Sequence, residues 1–216
     1  MTFIFPAPDQ ISLPIIGSDD RFPVNRIYCV GRNYADHVVE MGGDLKTSSP
    51  VIFVKDASRV VENGRTIPYP AATADLHHEI ELVVAMGEDG IFGYGVGLDM
   101  TRRDLQHAAK AKKGPWDRAK NFPQSAACGA ITPADQVDIS AAKIDLTVNG
   151  AVRQSSTINK MIWAVPTIIE FLKADMGLAP GDLIYTGTPE GVGPVVAGDK
   201  LVGTVEGLET LSVTYV

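Results

Sequence analysis

Leu76-His77-His78-Glu79-Ile80-Glu81-Leu82-Val83-Val84, followed after a turn by Ile91-Phe92-Gly93-Tyr94-Gly95-Val96-Gly97-Leu98-Asp99, reads as two successive strands with no helix between them. The glycines at 93, 95 and 97 fall in a G-x-G-x-G pattern, and the run continues into Leu98 and Asp99 instead of opening a helix at its third glycine. A dinucleotide-binding βαβ unit is therefore rejected. Elsewhere the chain offers many short strands, few helices and no regular βα alternation, so the predicted class is α+β or mixed β and not a doubly wound sheet.

The first strand also carries the most informative polar pattern. Residues i and i+2 of a strand leave the same face about 6.6 Å apart, so Glu79 and Glu81 converge on one point. An isolated Glu-x-Glu is most often a solvated face. Here Val83 lies on the glutamates' own side and Ile80, Leu82 and Val84 do not form the one apolar face of clean alternation, which makes the glutamates' face look mostly buried. Carboxylates crowded on a buried face repel and are expensive unless a cation lies between them. Asp99, at the end of the second strand, adds a third carboxylate, and three oxygen donors suit Mg2+ or Mn2+.

Working outward, Ile27 to Val30 reads as a short buried strand ended by Gly31. Asn33 to Met41 reads as a short helix closed by Gly42-Gly43, and the polar run 44–49 leads to a strand over Val51 to Val54. Residues 32–49 are thus a candidate lid. Within it, His37 and Glu40 are spaced i, i+3, so the acid can orient the imidazole and raise its basicity toward a water; a surface helix would carry the same spacing without purpose. Thr101 to Lys113 reads as a helix with Thr101 as N-cap and Asp104 three residues on. Arg103, Gln106 and Lys110 share one of its faces. Asn149-Gly150 marks a tight hairpin, Pro166 to Met176 a helix, and short strands follow near 183–186, 200–205 and 211–216. The turn Thr186-Gly187-Thr188-Pro189-Glu190-Gly191 lacks the Gly-Lys-Ser/Thr ending of a phosphate loop. It is read as a rigid turn whose amides or Thr188 hydroxyl hold a carboxylate, or as a purely structural one.

Composition narrows the class of partner. The 216 residues carry a formal net charge of −7, which argues against nucleic acid or an anionic membrane as the main partner. Hydrophobic residues at 45% and charged residues at 21% are ordinary for a globular enzyme. The segment from Met1 to Pro14 has neither the basic start nor the apolar core of a targeting peptide, and no membrane span is expected. Cys29 and Cys128 form no metal-ligand spacing and read as free thiols of a reducing cytoplasm.

Several blocks together resemble a known family: Gly31-Arg32-Asn33-Tyr34-Ala35-Asp36-His37, His78-Glu79-Ile80-Glu81-Leu82, Leu98-Asp99-Met100-Thr101 with Arg103-Asp104, and Thr186-Gly187-Thr188-Pro189 with Gly191-Val192-Gly193. In order and approximate spacing they look like the fumarylacetoacetate hydrolase family over about residues 24 to 216. Within it the chain most resembles the short acylpyruvate hydrolases, including fumarylpyruvate hydrolases and oxaloacetate-decarboxylating members. The resemblance implies an α+β fold, a mixed β-sandwich roll with few helices, over a single catalytic domain 24–216 behind an N-terminal extension 1–23. It also implies a cytoplasmic homodimer, with Mg2+ or Mn2+ held by the positions matching Glu79, Glu81 and Asp99.

The implied reaction is metal-dependent cleavage of the C–C bond of a 3-acylpyruvate. His37 and Glu40 would activate water, Lys120 and Gln106 would stabilise the oxyanion, and Arg32, Tyr34, Lys55, Arg103 and Thr188 would stand against the 2-oxo acid substrate. One departure is local: the family commonly has proline after the matched lysine, and here it is Asp56. The alternatives are oxaloacetate decarboxylation or keto-enol tautomerisation in the same site, and a non-catalytic metal-dependent oxo-acid binding protein.

Overall fold

The computed structural model describes residues 2–41 and 50–216; part of the candidate lid, residues 42–49, lies outside the described residues. Most elements are strands, with four α-helices among the described residues. The largest sheet runs in the order Val51–Asp56, Arg26–Gly31, Leu183–Tyr185, Ile80–Gly87, Gly90–Asp99, Ala126–Cys128, Val60–Glu62, with Thr132–Pro133 pairing a second stretch of Gly90–Asp99. A five-stranded sheet runs Ala151–Thr157, Lys143–Val148, Lys200–Val205, Leu211–Tyr215, Thr66–Ile67. The α+β class and few helices read from the sequence are those observed.

Alternation along Ile80–Gly87 explains the packing. Ile80, Leu82, Val84 and Met86 point into the main core between the two sheets, while Val83 and Ala85 point the other way into a second core with Cys29, Cys128 and Tyr185. Both faces are buried, which is why the strand has no polar side to show solvent. The contact between sheets is close: a Cβ on Gly203 would come within 2.7 Å of Ile80 Cδ1. Helix Val165–Asp175 covers the main core with Val165, Ile168, Ile169 and Leu172, the i, i+3, i+4, i+7 stripe of an amphipathic helix.

The glycines of the second strand now have a reason. A Cβ on Gly97 would meet Val83 Cγ2 at 2.5 Å and the Tyr185 ring at 2.6 Å, and one on Gly93 would meet the Thr132 carbonyl oxygen at 2.3 Å. Neighbouring side chains and backbone pack directly on this strand, so its spacing serves close approach and not phosphate binding.

Before residue 24, strands Ser12–Pro14 and Arg21–Pro23 pair with each other, and Leu13 and Phe22 are buried in the second core. That part of the N-terminal extension is packed onto the domain. Asn149 and Gly150 both have positive φ, 51° and 82°, as a type I′ turn requires. Both cysteines are free and buried, and no described helix is long and apolar enough to cross a membrane.

One helix start differs from its sequence reading. Thr101 and Arg102 are extended and pair with Leu76–His78, and the helix is Arg103–Ala111 with no side-chain cap. Tertiary partners recruit the polar groups instead. The Asp104 carboxylate accepts hydrogen bonds from the Thr73 hydroxyl at 2.7 Å and the Ala74 amide at 3.1 Å, and the Thr101 hydroxyl donates to the Asp99 carbonyl at 3.1 Å.

Candidate active site

Strand register alone brings the three carboxylates together. Ile80 pairs with Leu98 and Glu81 with Gly97 in an antiparallel ladder, and the Asp99 amide donates to the Glu79 carbonyl at 2.9 Å. Opposed residues of an antiparallel pair share a face, so Asp99 joins Glu79 and Glu81 on one side of one sheet end. One carboxylate oxygen from each lies within 4.8 Å of the others, and all three side chains are buried.

Their charges are unequally answered. Glu79 accepts from Arg103 Nη2 and, at 2.6 Å, from Lys120 Nζ. Burial pushes its pKa up, but Lys120 and Arg103 together outweigh that and hold the carboxyl below the usual range. Asp99 Oδ2 accepts from Lys120 at 2.6 Å, and its Oδ1 lies 2.9 Å from Lys55 Nζ. Among the described residues Glu81 has only the Gly187 amide, at 2.7 Å. Burial, with Asp99 and Glu79 beside it, pushes Glu81 well above its ordinary value. A buried carboxyl next to two others and without a cationic partner of its own among the described residues is the feature a hard divalent ion would relieve, and the donors are all oxygen. The residues fit Mg2+ or Mn2+.

Helix Ala35–Glu40 faces this cluster. His37 and Glu79, Glu81 and Asp99 line one cavity with Arg32, Arg103, Gln106, Lys110, Trp116 and Thr188. His37 Nδ1 stands 3.3 Å from Glu40 Oε2. A carboxylate can only accept, so the proton sits on Nδ1 and the Nε2 lone pair is left free. Burial lowers the His37 pKa, which keeps the ring neutral at pH 7. Glu40 itself is held by the Gly191 amide, 3.1 Å from Oε1. The turn 186–191 thus does hold carboxylates with its amides, as the sequence suggested, but they are the chain's own Glu81 and Glu40.

The remaining expected site residues divide. Arg32, at φ 63° just after Gly31, lines the cavity in a conformation uncommon outside glycine. Arg103 lines it too, but its guanidinium is engaged by Glu79 and by Gln106 Oε1 at 2.6 Å. Gln106 therefore accepts with its oxygen and keeps its amide hydrogens for a ligand. Thr188 lines the cavity and accepts from Gln154 Nε2 at 2.8 Å, which leaves its hydroxyl hydrogen free to donate.

Three expectations need correction. Lys55, expected against substrate, is fully buried and hydrogen-bonded to the carbonyls of Met100, Lys120 and Ser125; its role is behind Asp99. Tyr34 is also buried, lies outside the cavity lining, and its hydroxyl has no partner among the described residues. Lys120, expected at the oxyanion, donates to Glu79, Asp99 and, at 2.6 Å, Thr101 Oγ1, so all three ammonium hydrogens are committed.

Two buried amides that sequence reasoning missed hold the frame. Asn33 Nδ2 donates to the Thr186 carbonyl at 2.7 Å and the Trp163 carbonyl at 3.0 Å, while its Oδ1 accepts from the Trp163 amide at 2.6 Å. This pins the start of helix Ala35–Glu40 to the turn that holds Glu81. Gln154 Oε1 accepts from the Ile80 amide at 3.1 Å and faces His78 Nδ1 at 3.0 Å; its Nε2 donates to Thr188 and, at 2.9 Å, to the Pro189 carbonyl. Replacing Gln154 with Leu leaves several buried polar groups unpaired, each worth ~1–3 kcal/mol. The expected loss is therefore roughly 3 kcal/mol by urea denaturation, with a fall in activity as Thr188 loses its orientation; a change below ~1 kcal/mol would remove Gln154 from this framing role.

The model of the fumarylacetoacetate (FAA) hydrolase C-terminal family matches residues 26–216. The chain belongs to the fumarylacetoacetate hydrolase family. A fumarylpyruvate hydrolase of a Ralstonia species is 46% identical over 182 residues, 79% of this chain and 95% of the relative. The mitochondrial oxaloacetate tautomerase FAHD1 of Homo sapiens is 41% identical over 198 residues, 86% of this chain and 89% of the relative. The crystal structure of fumarylpyruvate hydrolase from Pseudomonas aeruginosa in complex with Mn2+ and pyruvate superposes with a TM-score of 0.96 at 44% identity, covering 100% of this chain and 99% of that one. For a family member of this kind, the cluster of Glu79, Glu81 and Asp99 is the natural place for a divalent ion.

Proposed function

We propose that the protein is a cytoplasmic, homodimeric, Mg2+- or Mn2+-dependent hydrolase that cleaves the C–C bond of a 3-acylpyruvate such as fumarylpyruvate, giving pyruvate and a carboxylic acid. The observation that carries this reading is the pairing of a carboxylate cluster with an oriented, neutral His37 across one cavity. The similarity to fumarylpyruvate hydrolases in sequence and in fold supports it.

Glu79, Glu81 and Asp99 would hold a divalent ion, which when bound would supply the Lewis acidity that stabilises a departing pyruvate enolate. His37 Nε2 takes a proton from water, whose oxygen attacks the C4 carbonyl carbon. Glu40 holds the imidazole by Nδ1 and offsets the charge it gains. The Gln106 amide and the Thr188 hydroxyl donate to the developing oxyanion, while Lys120 stays with Glu79 and Asp99 and sets the charge of the cluster. As C4 collapses to the acid, the C3–C4 bonding pair passes to the enolate, which is protonated at C3 to pyruvate.

The second reading is decarboxylation or tautomerisation of oxaloacetate, favoured by the relatives that carry those names. It uses the same enolate without an attacking water. A pure binding protein has no use for an imidazole oriented by Glu40. Purified, Mn2+-loaded protein assayed on fumarylpyruvate, acetylpyruvate and oxaloacetate is expected to turn over an acylpyruvate fastest. Faster handling of oxaloacetate than of every acylpyruvate would transfer the assignment to the second reading.

A further inference from the structure

We infer that Lys110 and Arg32 form an anion subsite at the outer end of the cavity that takes the far carboxylate of a dicarboxylic acylpyruvate. The inference rests on the acylpyruvate reading for the identity of the substrate. It follows from how the cavity's positive groups are used.

Three cations belong to the inner end. Lys55 and Lys120 face Asp99, and Arg103 is shared between Glu79 and Gln106. The ammonium hydrogens of Lys55 and Lys120 are all committed, and the Arg103 guanidinium is tied to Glu79 and Gln106. On the same face of helix Arg103–Ala111, two turns beyond Arg103, Lys110 lines the cavity with its ammonium 5.3 Å from the centre of the Trp116 ring. Arg32 lines the cavity from the turn between strand Arg26–Gly31 and helix Ala35–Glu40, held there by a left-handed backbone. Among the described residues neither Lys110 nor Arg32 has a carboxylate partner, whereas the inner cations all do. The remaining candidates among the arginines lie elsewhere: Arg102 is stacked on Phe122, and Arg118 and Arg153 are exposed.

The field at Lys110 agrees. Burial and the nearby charges of Arg103 and Arg32 press its pKa down to about 8 against the smaller opposing pull of Glu79, so positive charge outweighs negative there. A substrate whose 1-carboxylate and 2-oxo group sit at the carboxylate cluster extends its acyl chain away from it, toward this end. A second carboxylate on that chain would meet two cations beside the Trp116 ring. An acyl chain ending in a methyl group would leave both unpaired, which is the stronger source of discrimination.

The test uses Lys110→Met, which keeps the aliphatic stem on Trp116, with Lys110→Arg as the conservative control. Steady-state kinetics compare fumarylpyruvate with acetylpyruvate, which lacks the second carboxylate. Direct binding by NMR compares fumarate with crotonate, which has a methyl in place of one carboxylate, on the Mn2+-loaded protein. For Lys110→Met the KM for fumarylpyruvate is expected to rise about 10- to 100-fold, with kcat changed much less and a far smaller effect on acetylpyruvate. Fumarate should lose its preference over crotonate, and Lys110→Arg should keep both. Equal losses on the two substrates, or no loss on either, would overturn the subsite. If the unsubstituted protein hydrolyses no acylpyruvate, the reaction assignment fails separately. The fumarate and crotonate comparison then decides the subsite alone: preference lost in Lys110→Met sustains it, and preference retained overturns it.

Discussion

Chelation of divalent ions is expected to abolish turnover, and Mn2+ or Mg2+ to restore it, with Glu81→Gln blocking the restoration. Glu81 is the informative ligand because it alone of the three carboxylates has no cationic partner among the described residues. Gln has the same shape and can still accept from the Gly187 amide, so the fold has little to lose. The loss in metal affinity should be at least the roughly 10- to 100-fold that changes behind a metal's ligands typically cost.

The same substitution should act with opposite sign on the metal-free protein. Burial and the neighbouring Asp99 and Glu79 raise the folded pKa of Glu81 above its unfolded value. Its favourable contribution is therefore complete below the ordinary carboxylate pKa and is lost as pH rises through the raised one. At neutral pH the metal-free wild type carries that loss and Glu81→Gln does not, so the variant should have the higher Tm without metal. Saturating Mn2+ should raise the wild-type Tm and leave the variant nearly unmoved. Full activity after rigorous metal removal, or equal stabilisation of both proteins by Mn2+, would refute the ligand assignment.

His37→Ala is expected to lower acylpyruvate hydrolysis about 10²- to 10⁴-fold, the usual contribution of a positioned general base, with metal affinity nearly unchanged. Any oxaloacetate decarboxylation should fall less, because loss of CO2 needs the stabilised enolate but no activated water. The pH profile supplies an independent check. The base works as neutral imidazole, and burial holds its pKa below the ordinary 6.5. In the free enzyme kcat/KM should thus fall with decreasing pH through a midpoint below 6.5, as the ring takes up its proton. That limb should disappear in His37→Ala. Unchanged hydrolysis in the variant would show that another group activates the water.

The carboxylate cluster was legible in the chain because strand geometry is local. The i, i+2 spacing puts Glu79 and Glu81 on one face whatever surrounds them, and a short turn to an antiparallel neighbour delivers Asp99 opposite Glu79. The His37 and Glu40 pairing was legible for the same reason, since one helical turn decides it. Helix, hairpin and strand positions followed from periodicity, glycine and proline, and the four-block resemblance added the fold.

What the sequence could not decide was how each polar group would be shared. Lys55 and Lys120 looked equally available, but only the sheet order and the short helix Asp117–Lys120 place three carbonyls around one and Glu79, Asp99 and Thr101 around the other. The Thr101 cap failed because pairing with Leu76–His78 offered that segment a ladder, and Thr73 and Ala74 claimed Asp104. The side chains of Asn33 and Gln154 carry no local signal at all, since every hydrogen bond these side chains make spans 34 residues or more. Sequence thus determined the fold class and the carboxylates, which depend on backbone periods of two and 3.6. The tertiary structure decided which cations are spent on those carboxylates and which remain for a ligand, because a buried charge is satisfied by whichever distant partner the fold brings within hydrogen-bond reach.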